Sequence, residues 1–285
     1  MNLQKTPSFL IRPIEIEEQD YKFFFLHIPK TGGTTIDNIV QQYSKISNSI
    51  KYIRLKNEYN VSTFKKNVLK KNKIFISGHL NESTFDEQDI EGIKKITIIR
   101  NPFNREISHY KFKAFKNNFS IENYKLENFL MSQYEKFQDN ITVRLLSNIA
   151  HSNIRVSNIH LELAKKNLKN FWLYCSFDQW DLFTKILISY IGMPNIIYIK
   201  MQKYNYKFSY QINDNDRSLI EQYSKFDINL YNEVFKDENF FHKKKLFLNK
   251  IKLINEYLYV SHKNDASKNR IFSNEEIQKI FGYIQ

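Results

Sequence analysis

The stretch that most limits what this chain can become is a short apolar run ending in two adjacent glycines. Residues 21–28 (YKFFFLHI) are almost continuously apolar, and Pro29 closes the run. A run of that length, bounded by a turn, fits a strand buried on both faces. PKTGGTT follows, and Ile36, Ile39, Val40 and Tyr43 then recur at helical spacing. The order strand, glycine turn, helix brings helix N-terminal N–H groups to a strand end, where they and the helix dipole favour an anion. Glycine is scarce: six glycines and five prolines occur in 285 residues, well under the roughly 12% these two types make up on average. The pair Gly32 and Gly33 therefore marks a place that needs glycine. Lys30 can reach an anion's bridging or terminal oxygen, and Thr31, Thr34 and Thr35 add hydroxyl donors.

Further strands are expected at residues 73–77 (KIFIS, ended by Gly78-His79), 96–100 (ITIIR), 171–175 (FWLYC) and 196–200. Helices are expected at 58–71, from Pro102 to about 118, within 121–170, at 178–191, and at 214–239 with a break near Asp227. Strands alternating with helices argue for an α/β fold, a parallel sheet with helices on both faces. Residues 1–20 read as an irregular lead-in and 21–240 as the domain. Residues 241–285 carry nine basic and four acidic side chains, with Leu246, Ile251, Ile254 and Leu258 at helical spacing. They read as a basic helical extension packed on the core, the alternative being contact with an anionic membrane or polyanion.

Hydrophobic residues make up 42% of the chain and aromatic residues 15% of it, which excludes a disordered protein. A single cysteine, Cys175, excludes an internal disulfide framework and a four-cysteine zinc site. No run approaches 18 apolar residues and no signal-peptide core is visible, so the expected compartment is a reducing cytoplasm. Lys and Arg number 43 against 30 Asp and Glu, a net charge of +13. Lys, Asn and Ile are all abundant, so part of that excess reflects composition bias. No nucleic-acid recognition motif accompanies it, and nucleic acid is not expected as a partner.

A second motif, RNPFNREIS, puts Arg100 at a strand end and Ser108 on the following helix, where Arg105 and Ser108 share a face. The Arg100 guanidinium offers a fork for a second phosphate and Ser108 a hydroxyl. Two strand-end motifs in a parallel sheet face one crevice. In the nucleoside-triphosphatase loop the lysine follows the glycines and a strand-end Asp holds magnesium. Here Lys30 precedes them and the strand ends in Arg100, so no metal is expected.

With both motifs in this order, the chain resembles a sulfotransferase, closest to the carbohydrate family that includes heparan sulfate and uronyl 2-O-sulfotransferases and their bacterial relatives. HIPKTGGTT at 27–35 resembles the family's 5′-phosphosulfate loop, and RNPFNREISHY at 100–110 its 3′-phosphate motif. Gly78-His79, QDNITVRLLS at 138–147 and DINLY at 227–231 are similar to further family segments. The resemblance spans about 20–240. It implies the P-loop-like sulfotransferase fold and the co-substrate 3′-phosphoadenosine-5′-phosphosulfate. Lys30, Thr31, Gly32, Gly33, Thr34 and Thr35 would hold the 5′-phosphosulfate, and Arg100 and Ser108 the 3′-phosphate. A carbohydrate or other hydroxylated acceptor is implied. The family's His-x-His is here Ser77-Gly78-His79, one histidine short.

Sulfuryl transfer needs a base for the acceptor hydroxyl and a cation for the departing oxygen. His79, at a strand end, is the expected base, and Lys30 the cation. His27 reads as a core or edge histidine, and His109 as facing elsewhere. Arg144 and Asn140 are candidates for acceptor contacts. The alternatives are a nucleotide-dependent kinase on a related phosphate-loop fold and a non-catalytic polyanion-binding protein. Oligomeric state is open.

Overall fold

The computed structural model describes residues 9–11, 21–47, 49–55, 73–85, 91–119, 124–198, 210, 212–235, 256–260, 271–273 and 275–276. At its centre is a five-stranded, wholly parallel sheet in the order β3-β4-β2-β5-β6. Here β2 is Tyr21–Leu26, β3 Lys51–Leu55, β4 Lys73–Gly78, β5 Ile93–Ile99 and β6 Leu173–Ser176. β2 pairs in register with β4 (Leu26 beside Gly78) and with β5 (Leu26 beside Thr97). From β2 the chain runs out to the edge strand β3, returns inward to β4, and then crosses past β2 to β5 and β6. So β2 lies between connections that leave in opposite directions, where open α/β sheets form their ligand crevice.

Alternation along β2 divides the core. Tyr21, Phe23 and Phe25 join a cluster with helix α1 (Gly33–Ser47) and helix α6 (Trp180–Ile191) on one face. Phe24 and Leu26 join a cluster on the other face with α4 (Ile141–Leu146), α5 (Asn158–Lys169) and α8 (Lys225–Val234). A third cluster links α2 (Pro102–Lys116), α3 (Leu126–Glu135) and α7 (Asp214–Tyr223). The β2 side chains are almost wholly shielded, which is why the run is continuously apolar rather than alternating. The expected fold, a parallel sheet with helices on both faces, is the fold observed.

Several boundaries differ from expectation. β3 was not anticipated: Lys51 and Arg54 interrupt its apolar pattern, as suits an edge strand. β1 (Phe9–Ile11) lies within the expected irregular lead-in and pairs antiparallel with β7 (Asn195–Tyr198). β7 was expected in the main sheet; it belongs instead to a second sheet, β1-β7-β8-β9. The other two strands there, β8 (Glu256–Val260) and β9 (Ile271–Ser273), replace helix at those positions of the expected helical extension, most of which lies outside the described residues. EYLYV is aromatic and β-branched, and strand pairing overrides a loose helical spacing that had counted Leu258. Helices α7 and α8 are separated at Ser224, three residues before the expected break at Asp227. The helix expected at 58–71 lies outside the described residues.

Among the described residues, no helix is long and apolar enough to cross a membrane.

Candidate active site

Three loops leave the C-terminal ends of β2, β4 and β5 side by side. From β2 the chain passes through His27, Ile28 and Pro29 to Lys30, which takes a left-handed backbone with φ 69°. The buried Thr31 hydroxyl donates to Ile28 O at 2.8 Å, cross-bracing the turn. Gly32 follows with φ 77°, and the Thr35 N–H closes on Gly32 O at 3.1 Å as α1 begins.

The two glycines are needed for different reasons. At Gly32 the positive φ alone disfavours a side chain, and a Cβ would also stand 2.7 Å from Trp180 Nε1. At Gly33 a Cβ would stand 2.4 Å from His27 Cδ2. Gly33→Ala is expected to cost about 1–3 kcal/mol through overpacking against a buried ring. The urea midpoint checks this, and an unchanged midpoint would show that the loop can yield.

A cavity of about 190 Å³ opens over this turn. His27, Pro29, Lys30, Gly32, Gly33, Thr34, Thr35, His79, His109 and Phe112 line it. The Lys30 ammonium rests over the Phe112 ring, 4.3 Å from its centroid. Burial, and then the neighbouring Arg100, lower its pKa to about 8. Arg100 leaves the end of β5, donates from Nη1 to Lys30 O at 3.1 Å, and lies 4.7 Å over the Phe177 ring. It therefore holds the turn from behind while adding positive charge. Asn101 caps α2, accepting from the N–H groups of Phe103 (3.0 Å) and Asn104 (3.4 Å), with Pro102 in the first turn. Ser108 is half-buried on that helix, outside the cavity lining.

His79 follows β4. Its Nδ1 makes a short hydrogen bond to the backbone carbonyl of His27. A carbonyl only accepts, so Nδ1 carries the proton and Nε2 keeps a lone pair. Lost hydration, and then the nearby His27, lower the His79 pKa to about 4 although part of the ring meets solvent. The imidazole is thus neutral at physiological pH, with Nε2 as an acceptor.

His109, expected to face elsewhere, lines the cavity from α2. Its ring sits edge-on to Phe129, 5.1 Å between centroids, and burial followed by Arg105, Lys113 and Lys30 lowers its pKa to about 3. His27, expected to be a core or edge residue, is buried yet also lines the cavity.

Arg144 and Asn140 are corrected as candidates for acceptor contact. Arg144 is fully buried, donating to Asp139 Oδ1 (2.9 Å), Asp139 O (2.8 Å) and Ile154 O (3.0 Å). The Asn140 side chain serves Asp139, Tyr223 O and the N–H groups of Phe226 and Asp227. Both are spent on internal structure. Among the described residues, no group of three or more His, Cys, Asp or Glu side chains is arranged to hold a metal.

The chain belongs to the sulfotransferase family, whose model matches residues 16–182. Sulfuryl transfer is therefore its class of activity. No curated protein matches it. Among solved structures it is similar to a sulfotransferase from Alicyclobacillus acidocaldarius, with 10% identity and a TM-score of 0.43, covering 78% of this chain and 97% of that one. It is also similar to mouse sulfotransferase SULT7A1 complexed with PAP, with 17% identity and a TM-score of 0.38, covering 72% of this chain and 63% of that one. The family match, not these distant likenesses, carries the assignment.

Proposed function

We propose that the protein moves a sulfuryl group from 3′-phosphoadenosine-5′-phosphosulfate to an acceptor hydroxyl on a carbohydrate. One observation carries this reading: a lysine on an anion-suited turn and a neutral histidine with a free Nε2 line the same small cavity. The turn of Lys30, Gly32, Gly33, Thr34 and Thr35 would hold the 5′-phosphosulfate through backbone N–H groups, hydroxyls and the ammonium. Thr31 would contribute by bracing the turn, since its hydroxyl is already engaged. Arg100 and Ser108 would take the 3′-phosphate.

In the reaction the acceptor oxygen forms a bond to sulfur, and the bond from sulfur to the phosphate oxygen breaks. His79 Nε2 takes the hydroxyl proton. Lys30 Nζ neutralises the charge left on the departing oxygen, an interaction that strengthens as the bond lengthens.

Adenosine 3′,5′-bisphosphate, the desulfated nucleotide, tests the donor site without needing the acceptor. At one hundred times its Kd it should stabilise the fold by about 2.7 kcal/mol, read as a rise in melting temperature. Lys30 is charged below a pKa of about 8 and neutral above it, so the stabilisation should weaken as pH rises through that value. No shift at saturating nucleotide would overturn the donor assignment. A screen of hydroxylated acceptors with labelled donor, followed by mass spectrometry, then identifies the product.

A further inference from the structure

We infer that His27 and Asp37 form a positioning pair behind His79, with Arg54 as its opposing charge. This deepens the reading of His79 as the base and rests on it.

His27 lies just beyond β2 and is 3% exposed. Three neighbours clamp its ring. Phe25 stacks on it with centroids 5.6 Å apart, Gly33 leaves no room for a side chain beside it, and Asp37 Oδ2 lies 2.9 Å from Nδ1. His27 then meets His79 twice. Its backbone carbonyl accepts from His79 Nδ1, and the two rings face each other with centroids 4.4 Å apart at a 47° tilt. One residue therefore fixes both the tautomer and the orientation of the proposed base.

Asp37 sits on the buried face of α1, among Ile36, Ile39 and Val40, and is absent from the cavity lining. A carboxylate is costly there unless paired. Its charged partners are His27 and Arg54, whose Nη1 makes a short contact with Oδ2 from the edge strand β3, and Ser77 and Tyr52 also bear on it. Burial alone would raise the Asp37 pKa; the His27 hydrogen bond and charge, and then Arg54, outweigh it and hold the carboxyl below its usual value.

The titratable and charged groups around His79 come from several elements: His27 beyond β2, Asp37 on α1 and Arg54 on β3 act on it, and Lys30 on the turn and His109 on α2 line the same cavity. Asp37 is the one carboxylate among these groups. It favours the imidazolium that forms when His79 takes a proton, whereas Arg54 opposes it. Asp37 acts through His27 rather than on the acceptor, so it is a positioning residue.

The test is a titration of the full-length protein carrying ¹³C-labelled histidine, followed by NMR, with His79 assigned by the signal lost in His79→Gln. Asp37→Asn should move the His79 midpoint to lower pH and Arg54→Gln should move it higher, each by about one unit. A purely structural role would alter stability without opposed shifts. Arg54 is half-exposed on an edge strand, so Arg54→Gln decides the matter should Asp37→Asn fail to fold. An unmoved or lowered midpoint in Arg54→Gln overturns the proposal, as does a raised one in folded Asp37→Asn. The titration needs no nucleotide. Absence of adenosine 3′,5′-bisphosphate binding in the unmodified protein would overturn the sulfuryl-transfer reading instead, and the two failures are told apart.

Discussion

Exchanging His79 for alanine is expected to lower sulfuryl transfer by about 10²–10⁴, while binding of adenosine 3′,5′-bisphosphate stays largely unchanged. The loss should fall on kcat rather than on the KM for the donor, because the imidazole acts on the acceptor proton and not on the nucleotide. Its carbonyl-bonded Nδ1 leaves only Nε2 to accept that proton. The acid limb of the wild-type rate profile should follow, since a pKa lowered to about 4 keeps the base neutral until the pH falls towards that value. His79→Gln should behave like the alanine variant, because an amide restores shape but not basicity. Transfer of labelled sulfate, measured with each variant beside nucleotide calorimetry, checks the split. An unchanged rate in His79→Ala would remove the residue from the chemistry.

What the sequence reveals about this protein depends on how local the determinants are. The turn from Lys30 to Thr35 is legible because strand, glycine pair and helix are contiguous, and the scarcity of glycine elsewhere sharpens the signal. His79 and Arg100 are legible as strand-end residues once β4 and β5 are recognised. The grouping of His27, Asp37 and Arg54 is not, because it joins three elements across the sheet. Its one local trace is a carboxylate on the apolar stripe of α1. The place of His109 is not legible from the motif, because a residue next to Ser108 on a helix points about 100° away from it, and here that direction leads into the cavity. Arg144 and Asn140 show the opposite error. Polar residues in a distinctive segment look like site residues until their partners, in Asn140's case more than eighty positions away, are found inside the fold. β3 escaped notice because an edge strand tolerates Lys and Arg, and β8 because five residues suit either structure until a partner strand exists.

Those internal partners make Asp227→Ala the largest expected loss of stability, about 3–5 kcal/mol. The Asp227 carboxylate is 1% exposed and stands at the junction of three segments. Its Oδ1 accepts from Val143 N at 2.8 Å and its Oδ2 from Thr142 N at 3.2 Å, so it caps α4 from a distance. Asn140 returns the favour, with Oδ1 accepting from Phe226 N (2.9 Å) and Asp227 N (3.0 Å) at the start of α8. Arg105, also 1% exposed, donates to Asp227 Oδ2 at 3.1 Å and to Glu106, which accepts from Ser224 Oγ at 3.2 Å. Burial pushes the carboxyl groups of Glu106 and Asp227 up, and Arg105 opposes this. Removing Asp227 leaves two helix N–H groups without their cap and the Arg105 guanidinium buried with one carboxylate fewer. At about 2–4 °C per kcal/mol for a chain of this size, the melting temperature should fall by about 10 °C. Replacing both members, Arg105→Met with Asp227→Leu, should recover part of that loss, because apolar groups of similar volume avoid the cost of an unmatched buried charge. Calorimetric melting of the single and double variants checks both statements. A loss under about 1 kcal/mol in Asp227→Ala, or a double variant no better than the single, would show that the junction is held by packing rather than by this carboxylate. Since α2 carries both Arg105 and Ser108, nucleotide binding in the variants that remain folded should track the stability of that helix and leave the pH profile set by His79 in place.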